Sequence, residues 1–357
     1  MLAFAKTISG SQLPTVILIA LCFSTMMLGY ISWKYVENPF RNKLAISRIK
    51  VFSFSIIFTL AFVTVGFIGY KNDGFENRFP ILKNINSKGS EILMNGDNCF
   101  LLNTDVKTFD INKCTSNSMN KRFNVLLLGD SHSASLYGGL KNYLENNDIT
   151  LSMLSSAYCL PLVEYFPNKN TFTATERCEQ INRKINDVIN NNNFDLILVS
   201  SYILEWGFRN NPKISYNSYY EDYLSKIKSI NSHSKVVVIG EFVVWTDGLP
   251  NEISREIFSN QIYNIYDLPK YSMRGVDKQL FSAENILAND FGKINIPYIS
   301  VVDALCNKDG CLRYTDTTNG EKLIAIDYGH LSIDGSEYIS NNIVGPKVVS
   351  ILKKSIK

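Results

Sequence analysis

The chain has 357 residues, 45% of them apolar, and a net charge of +3, which allows two or three structural units and ample material for a core. Lysine and arginine after Lys71 are scattered, with no basic stripe among aromatics, so nothing calls for a nucleic-acid partner. Charge is informative by position instead: none occurs from Thr7 to Trp33 or from Val51 to Tyr70.

Each of those runs can cross a hydrocarbon core of about 30 Å at the helical rise, so residues 1–70 are expected to form two transmembrane helices. The loop at about 34–50 carries Lys34, Arg41, Lys43, Arg48 and Lys50 against Glu37. A short loop with that excess of cations stays in the cytoplasm, which sends everything after Lys71 outward. The alternative, a signal peptide starting at Lys6, is opposed by the want of a clean small-x-small cleavage site and by the second apolar run that follows. Within the loop, Pro39 is expected to stop the helix, and Trp33, Lys34 and Tyr35 to sit at the membrane interface.

Residues 71–120 are polar and weakly periodic, and read as a linker and extension packed on the next domain. Cys22 lies in the first apolar run, whereas Cys99, Cys114, Cys159, Cys178, Cys306 and Cys311 fall outside the membrane. An even number in an oxidising compartment suggests disulfides. The sequence-local pairs Cys99–Cys114, Cys159–Cys178 and Cys306–Cys311 are the economical choice, with free buried thiols the alternative. Neither Cys-x-x-Cys nor His-rich spacing argues for a metal.

From residue 121 to 357, strands and helices alternate. Apolar runs at Val125 to Leu128, Leu151 to Leu154, Leu196 to Ser200, Val236 to Gly240 and Tyr298 to Val301 are separated by amphipathic stretches at Glu176 to Asn190, Tyr219 to Ile230 and Lys278 to Phe291. That alternation predicts a parallel sheet with helices on both faces, whose sites lie at the carboxyl ends of strands. Asp334 to Lys354 reads as a closing helix, kinked or divided at Gly345-Pro346.

The first strand ends in Gly129-Asp130-Ser131-His132. A serine on such a strand-to-helix turn exposes its hydroxyl at the sheet edge, and its own N–H lies at a helix start, where an oxyanion is favoured. Ser131 therefore stands as a nucleophile, and it needs a base. The chain holds three histidines, His132, His233 and His330. His330 follows Asp327 on a Gly-containing turn that lets the carboxylate reach Nδ1, so His330 is the base and Asp327 its orienter. His132 reads as a helix-start residue near the site, and His233 as an exposed residue of a polar turn. Weaker oxyanion or binding candidates come from the next two strand ends, Cys159 in Ser155-Ser156-Ala157-Tyr158-Cys159, and Ser201 with Trp206 in Ser200-Ser201-Tyr202 and Glu205-Trp206.

Two resemblances attach to these motifs. Glu37-Asn38-Pro39-Phe40-Arg41 resembles the closing segment of the membrane acyltransferase-3 family, and Gly129-Asp130-Ser131 with Asp327-x-x-His330 resembles the first and last blocks of SGNH hydrolases. Together they resemble fused acyltransferase-3/SGNH proteins that O-acetylate bacterial surface polysaccharides such as lipopolysaccharide O-antigen. The resemblance implies a flavodoxin-like three-layer α/β/α domain in the periplasm on a multi-pass inner-membrane protein. It also implies a polysaccharide acceptor and no bound cofactor. Acetyl-CoA would serve as donor only through an acyltransferase-3 membrane domain. Since no histidine precedes His132, that domain is expected to be missing or separately encoded. The alternatives are a periplasmic carbohydrate acetyl-esterase and a truncated, non-catalytic tethered remnant.

Overall fold

The computed structural model describes residues 2–9, 13–41, 47–72, 74–75, 99–101, 111–115, 121–163, 174–204, 218–260, 262, 267–315 and 322–354. The chain divides into two compact units, Met1–Asn84 with Asn251–Leu268, and Ile85–Pro250 with Pro269–Lys357.

In the first unit, α1 (Leu2–Ser9) precedes α2 (Thr15–Ser32) and α3 (Arg48–Lys71). The spans Thr15–Glu37 and Ile49–Lys71 have mean hydropathies of 2.0 and 2.3, and neither is buried within the protein. They are two helices long and apolar enough to cross a membrane. Their hydroxyls are folded back onto the preceding turn, Ser24 Oγ donating to the Ala20 carbonyl at 2.8 Å and Thr64 Oγ1 to Leu60 at 2.8 Å. This satisfies polar groups that lipid cannot. Lys34 lies over the Tyr30 and Tyr35 rings at 5.9 and 5.3 Å, an amphipathic cluster suited to an interface.

Pro39 does not end the helix there. Helix α2 widens into one π-turn over Trp33–Glu37, in which the Asn38 N–H bonds the Trp33 carbonyl, and a short α-turn, Asn38–Arg41, continues from it. The wide turn starts a new first turn at Asn38, where the N–H that proline lacks is not needed.

The second unit is built on β1 (Phe100–Leu101), β2 (Phe123–Gly129), β3 (Ile149–Ser156), β4 (Leu196–Ser200), β5 (Val236–Ile239) and β6 (Tyr298–Ile299). They form one sheet in the order β1-β3-β2-β4-β5-β6, with every pair parallel. Val125 to Leu128 are completely buried, as expected of a strand covered on both faces. The crossovers include α4 (Ser131–Glu145), α5 (Ala174–Asn191), α6 (Ser218–Asn231) and α7 (Gln279–Lys293). The chain closes with α8 (Ile333–Ile339), a π-turn over Ser340–Val344, and α9 (Gly345–Lys354).

Strand β1 comes from the segment read as linker, and it forms the sheet edge: Cys99 and Leu101 carbonyls accept from Ser155 and Ala157 N–H groups at 3.1 and 2.8 Å. Disulfides join Cys99 to Cys114, Cys159 to Cys178 and Cys306 to Cys311, leaving Cys22 free and exposed. The third lies in a small antiparallel sheet of Tyr271–Ser272, Gly310–Leu312 and Cys306–Asn307, where Cys306 faces Cys311.

Strand β2 has β3 on one side and β4 on the other, so the chain reverses direction across the sheet at β2. Its carboxyl end is the switch point where open α/β sheets place their sites. Helix α8 comes to the same place by packing on α4 with no side chain between. A Cβ at Gly139 would stand 2.5 Å from Ser336 backbone carbon. Ser336 Oγ accepts from Gly139 N–H at 3.0 Å and donates to the Leu136 carbonyl at 2.8 Å. That contact brings the segment just before α8 alongside the start of α4.

Candidate active site

The turn after β2 is shaped by a lack of room. A Cβ at Gly129 would stand 1.8 Å from the Ser200 carbonyl oxygen and 2.6 Å from Ser133 Oγ, so only glycine lets β2 approach β4 there. Asp130 caps α4, its Oδ1 accepting from His132 N–H at 2.9 Å, while Oδ2 accepts from Tyr202 N–H at 2.8 Å across the sheet. The carboxyl thus ties the ends of β2 and β4 together. Burial pushes its pKa up to about 6, against the pull of those two amides.

Ser131 is the first residue of α4, a helix of 15 residues. Its backbone N–H therefore sits at the positive dipole end, where developing negative charge is stabilised. The last loop arrives opposite as the tip of a hairpin: Ile326 N–H bonds the His330 carbonyl at 2.9 Å, and Ala325 bridges Leu331. The tip is also held from the side, with Tyr328 and Asp327 carbonyls accepting from Trp245 and Leu249 N–H groups at 2.7 and 3.0 Å. Immediately after it, Ser332 caps α8 by accepting from Gly335 N–H at 2.9 Å.

This framework brings three of the sequence candidates together. His330 Nε2 lies 2.8 Å from Ser131 Oγ, and its Nδ1 lies 2.6 Å from Asp327 Oδ2. The second Asp327 oxygen accepts from Gly329 and His330 N–H groups at 2.9 and 2.8 Å. Burial works to raise the Asp327 carboxyl, but the His330 hydrogen bond and charge and the two amides outweigh it and hold it below the usual range. An ionised Asp327 accepts the Nδ1 proton, which leaves Nε2 with a lone pair facing the Ser131 hydroxyl. The arrangement can draw a proton from Ser131.

The Cys159 N–H bonds the Ser156 carbonyl at 3.3 Å and its sulfur is in the disulfide to Cys178, so its amide is spent within its own turn. Ser201 is buried at the end of β4, its carbonyl accepting from Ile203 N–H at 3.0 Å. Trp206 lies outside the described residues. His233 is exposed in a turn. His132 is buried at the start of α4, with its ring 5.1 Å from that of His330. Among the described residues, no group of three or more His, Cys, Asp or Glu side chains is placed to hold a metal ion.

Sequence reasoning missed Glu241, which holds the loop after β4 by accepting from Leu204 N–H at 2.8 Å. Burial raises its pKa well above the ordinary value. Its place directly after the β5 run was the available signal. Tyr328, whose ring meets that of His330 edge-on at 5.1 Å, was legible only as the residue between Asp327 and Gly329.

The fold is shared with a solved structure. The periplasmic domain of a lipopolysaccharide acetyltransferase from Salmonella ser. Paratyphi A matches with a TM-score of 0.58 at 23% identity, covering 72% of this chain and 94% of that one. A slighter likeness, with a TM-score of 0.36 at 12% identity, joins 66% of this chain to 88% of an acylhydrolase candidate from Bacteroides fragilis. No curated protein was found to match. The family model described as the SGNH domain fused to AT3 domains matches residues 98–344, well over half of the sequence, and this protein belongs to that family.

Proposed function

We propose that this protein acetylates a hydroxyl of a bacterial cell-surface polysaccharide of the O-antigen kind, through an acetyl-Ser131 intermediate. The observation that carries the reading is the continuous contact from Asp327 Oδ2 through His330 to Ser131 Oγ, at 2.6 and 2.8 Å, at the amino end of α4.

On this reading His330 Nε2 takes the hydroxyl proton as Ser131 Oγ bonds to the acetyl carbonyl carbon. The oxyanion is met by the Ser131 N–H. As the intermediate collapses, the bond to the leaving group breaks and that group receives the proton from Nε2. In the second half a sugar hydroxyl gives its proton to Nε2 and attacks the acetyl carbon. The bond to Ser131 Oγ then breaks, and the proton returns to the serine. Asp327, held in its ionised form, fixes the His330 tautomer and offsets the imidazolium charge in both halves.

The two apolar helices support a membrane-anchored protein, and on this reading its SGNH domain faces the periplasm, where disulfides are stable. The acetyl group would reach Ser131 from acetyl-CoA through an acyltransferase-3 membrane domain, the kind to which this family's SGNH domains are fused. The test is to express the full chain and its Ser131→Ala variant with that membrane domain and measure acetyl incorporation into surface polysaccharide. The reading expects incorporation that disappears with Ser131→Ala; incorporation equal in both would refute it.

A further inference from the structure

His132 takes no part in the proton relay, yet it is completely enclosed, at 1% exposure. Neither ring nitrogen has a hydrogen-bond partner among the described residues. Leaving a buried polar atom unsatisfied costs on the order of 1–3 kcal/mol, so an apolar side chain would be the cheaper filler. What the imidazole supplies is shape. Its ring lies flat against Tyr202, with centroids 4.6 Å apart and planes 3° from parallel, and near-parallel to Phe242 at 5.6 Å and 13°. Those neighbours come from the loops after β4 and β5.

The free edge of the same ring meets the catalytic turn. A Cβ at Gly329 would stand 3.0 Å from His132 Cε1 and 3.5 Å from Nε2, and the Tyr328 and His330 rings lie 5.9 and 5.1 Å away. At its backbone, His132 is held by the Asp130 carboxyl that also holds Tyr202. A flat five-membered ring fits this slot, whereas the larger ring of phenylalanine would press on Gly329.

We propose that His132 is a positioning residue. Wedged between Tyr202 and Phe242, its ring is the surface on which the Gly329–His330 turn rests, and it thereby sets the reach of His330 Nε2 to Ser131 Oγ. Burial, and then the neighbouring His330 charge, hold the His132 ring well below its usual pKa. It is therefore neutral, and does not repel the imidazolium that forms next to it during turnover. The inference rests on the reading that Ser131 and His330 carry the reaction.

The test is a double-substitution cycle on the full chain in detergent, with an aryl acetate as substrate: His132→Ala, Gly329→Ala, and the two combined. Each single change is expected to lower kcat about tenfold or more with little change in KM. In the pair, the alanine methyl enters the space left by the ring, so the loss is smaller than the product of the singles, by about tenfold. The low-field Nδ1–H resonance of His330 should shift in both single variants. Losses that simply multiply, or an unshifted resonance with wild-type kcat in His132→Ala, would overturn the inference. If His132→Ala does not fold, Gly329→Ala still decides: unchanged kcat and resonance in that variant overturn it. Hydrolysis that survives Ser131→Ala would instead overturn the underlying reading, which separates the two failures.

Discussion

Replacing Asp327 with asparagine tests the relay at the point where the structure makes the sharpest demand. Asp327 Oδ1 accepts from the Gly329 and His330 amides at 2.9 and 2.8 Å, and Oδ2 accepts from His330 Nδ1 at 2.6 Å. Asparagine can keep the first oxygen in place, so the turn survives, but it puts an NH2 group where Oδ2 was. Nδ1 must then become the acceptor, the ring proton moves to Nε2, and the group 2.8 Å from Ser131 Oγ becomes a donor. A serine facing a donor cannot pass on its proton. The wrong tautomer in this kind of relay lowers kcat by about 10⁴, a barrier increase of about 5 kcal/mol. The assay is aryl-acetate hydrolysis by the full chain in detergent, with thermal unfolding measured alongside to show that the variant is folded. A folded Asp327→Asn protein within a few-fold of the wild-type rate would refute the tautomer argument.

Other expectations follow from the same geometry. Gly129→Ala forces a Cβ to within 1.8 Å of the Ser200 carbonyl oxygen, a backbone clash between central strands that should cost about 3 kcal/mol or more and lower Tm by about 10 °C; a Tm within 2–3 °C of wild type, roughly 1 kcal/mol, would contradict it. Glu241 has a folded pKa well above its ordinary 4.5 because of burial. The folded chain therefore keeps a proton that the unfolded chain releases, and the stabilisation, full below 4.5, is lost as pH rises through the folded value. Asp130, raised from 3.8 to about 6, adds a loss of the same sign between those two values. Glu241→Gln keeps an acceptor for Leu204 N–H and should flatten the decline of Tm with rising pH, whereas an unchanged slope would contradict the assignment. Removing the Cys159–Cys178 disulfide, whose partners are 19 residues apart, should lower stability by about 3 kcal/mol, and a reductant, which opens all three disulfides, should lower that of the wild type by at least as much; an unchanged Tm in the variant would contradict it.

The strands were legible because a parallel sheet covered on both faces leaves uninterrupted apolar runs such as Val125 to Leu128. The candidate triad was legible because the chain has three histidines and because Asp327 and His330 lie on one short turn. Strand β1 was not, since Phe100–Leu101 is two residues long and shows no alternation; its pairing with β3 is a tertiary fact. The same holds for the short antiparallel strands around Cys306 and Cys311. Pro39 misled because the π-turn before it changes which amides need partners. At Cys159 the local turn takes up the N–H, which bonds the Ser156 carbonyl, and no residue spacing reports that. His132 could be placed at the helix start, but its neighbours come from Tyr202, Phe242 and Gly329, far apart in the chain, and no spacing reports such a stack.

The central claim is that Ser131 carries the acyl group. The most direct measurement is to quench the full chain during turnover of a labelled aryl acetate and locate the label by peptide mass spectrometry. The account predicts one acetyl group on the peptide containing Ser131, absent from Ser131→Ala and diminished in Asp327→Asn, whose His330 cannot take the serine proton. Turnover with no acetyl on that peptide, or with the label on another residue, would contradict it.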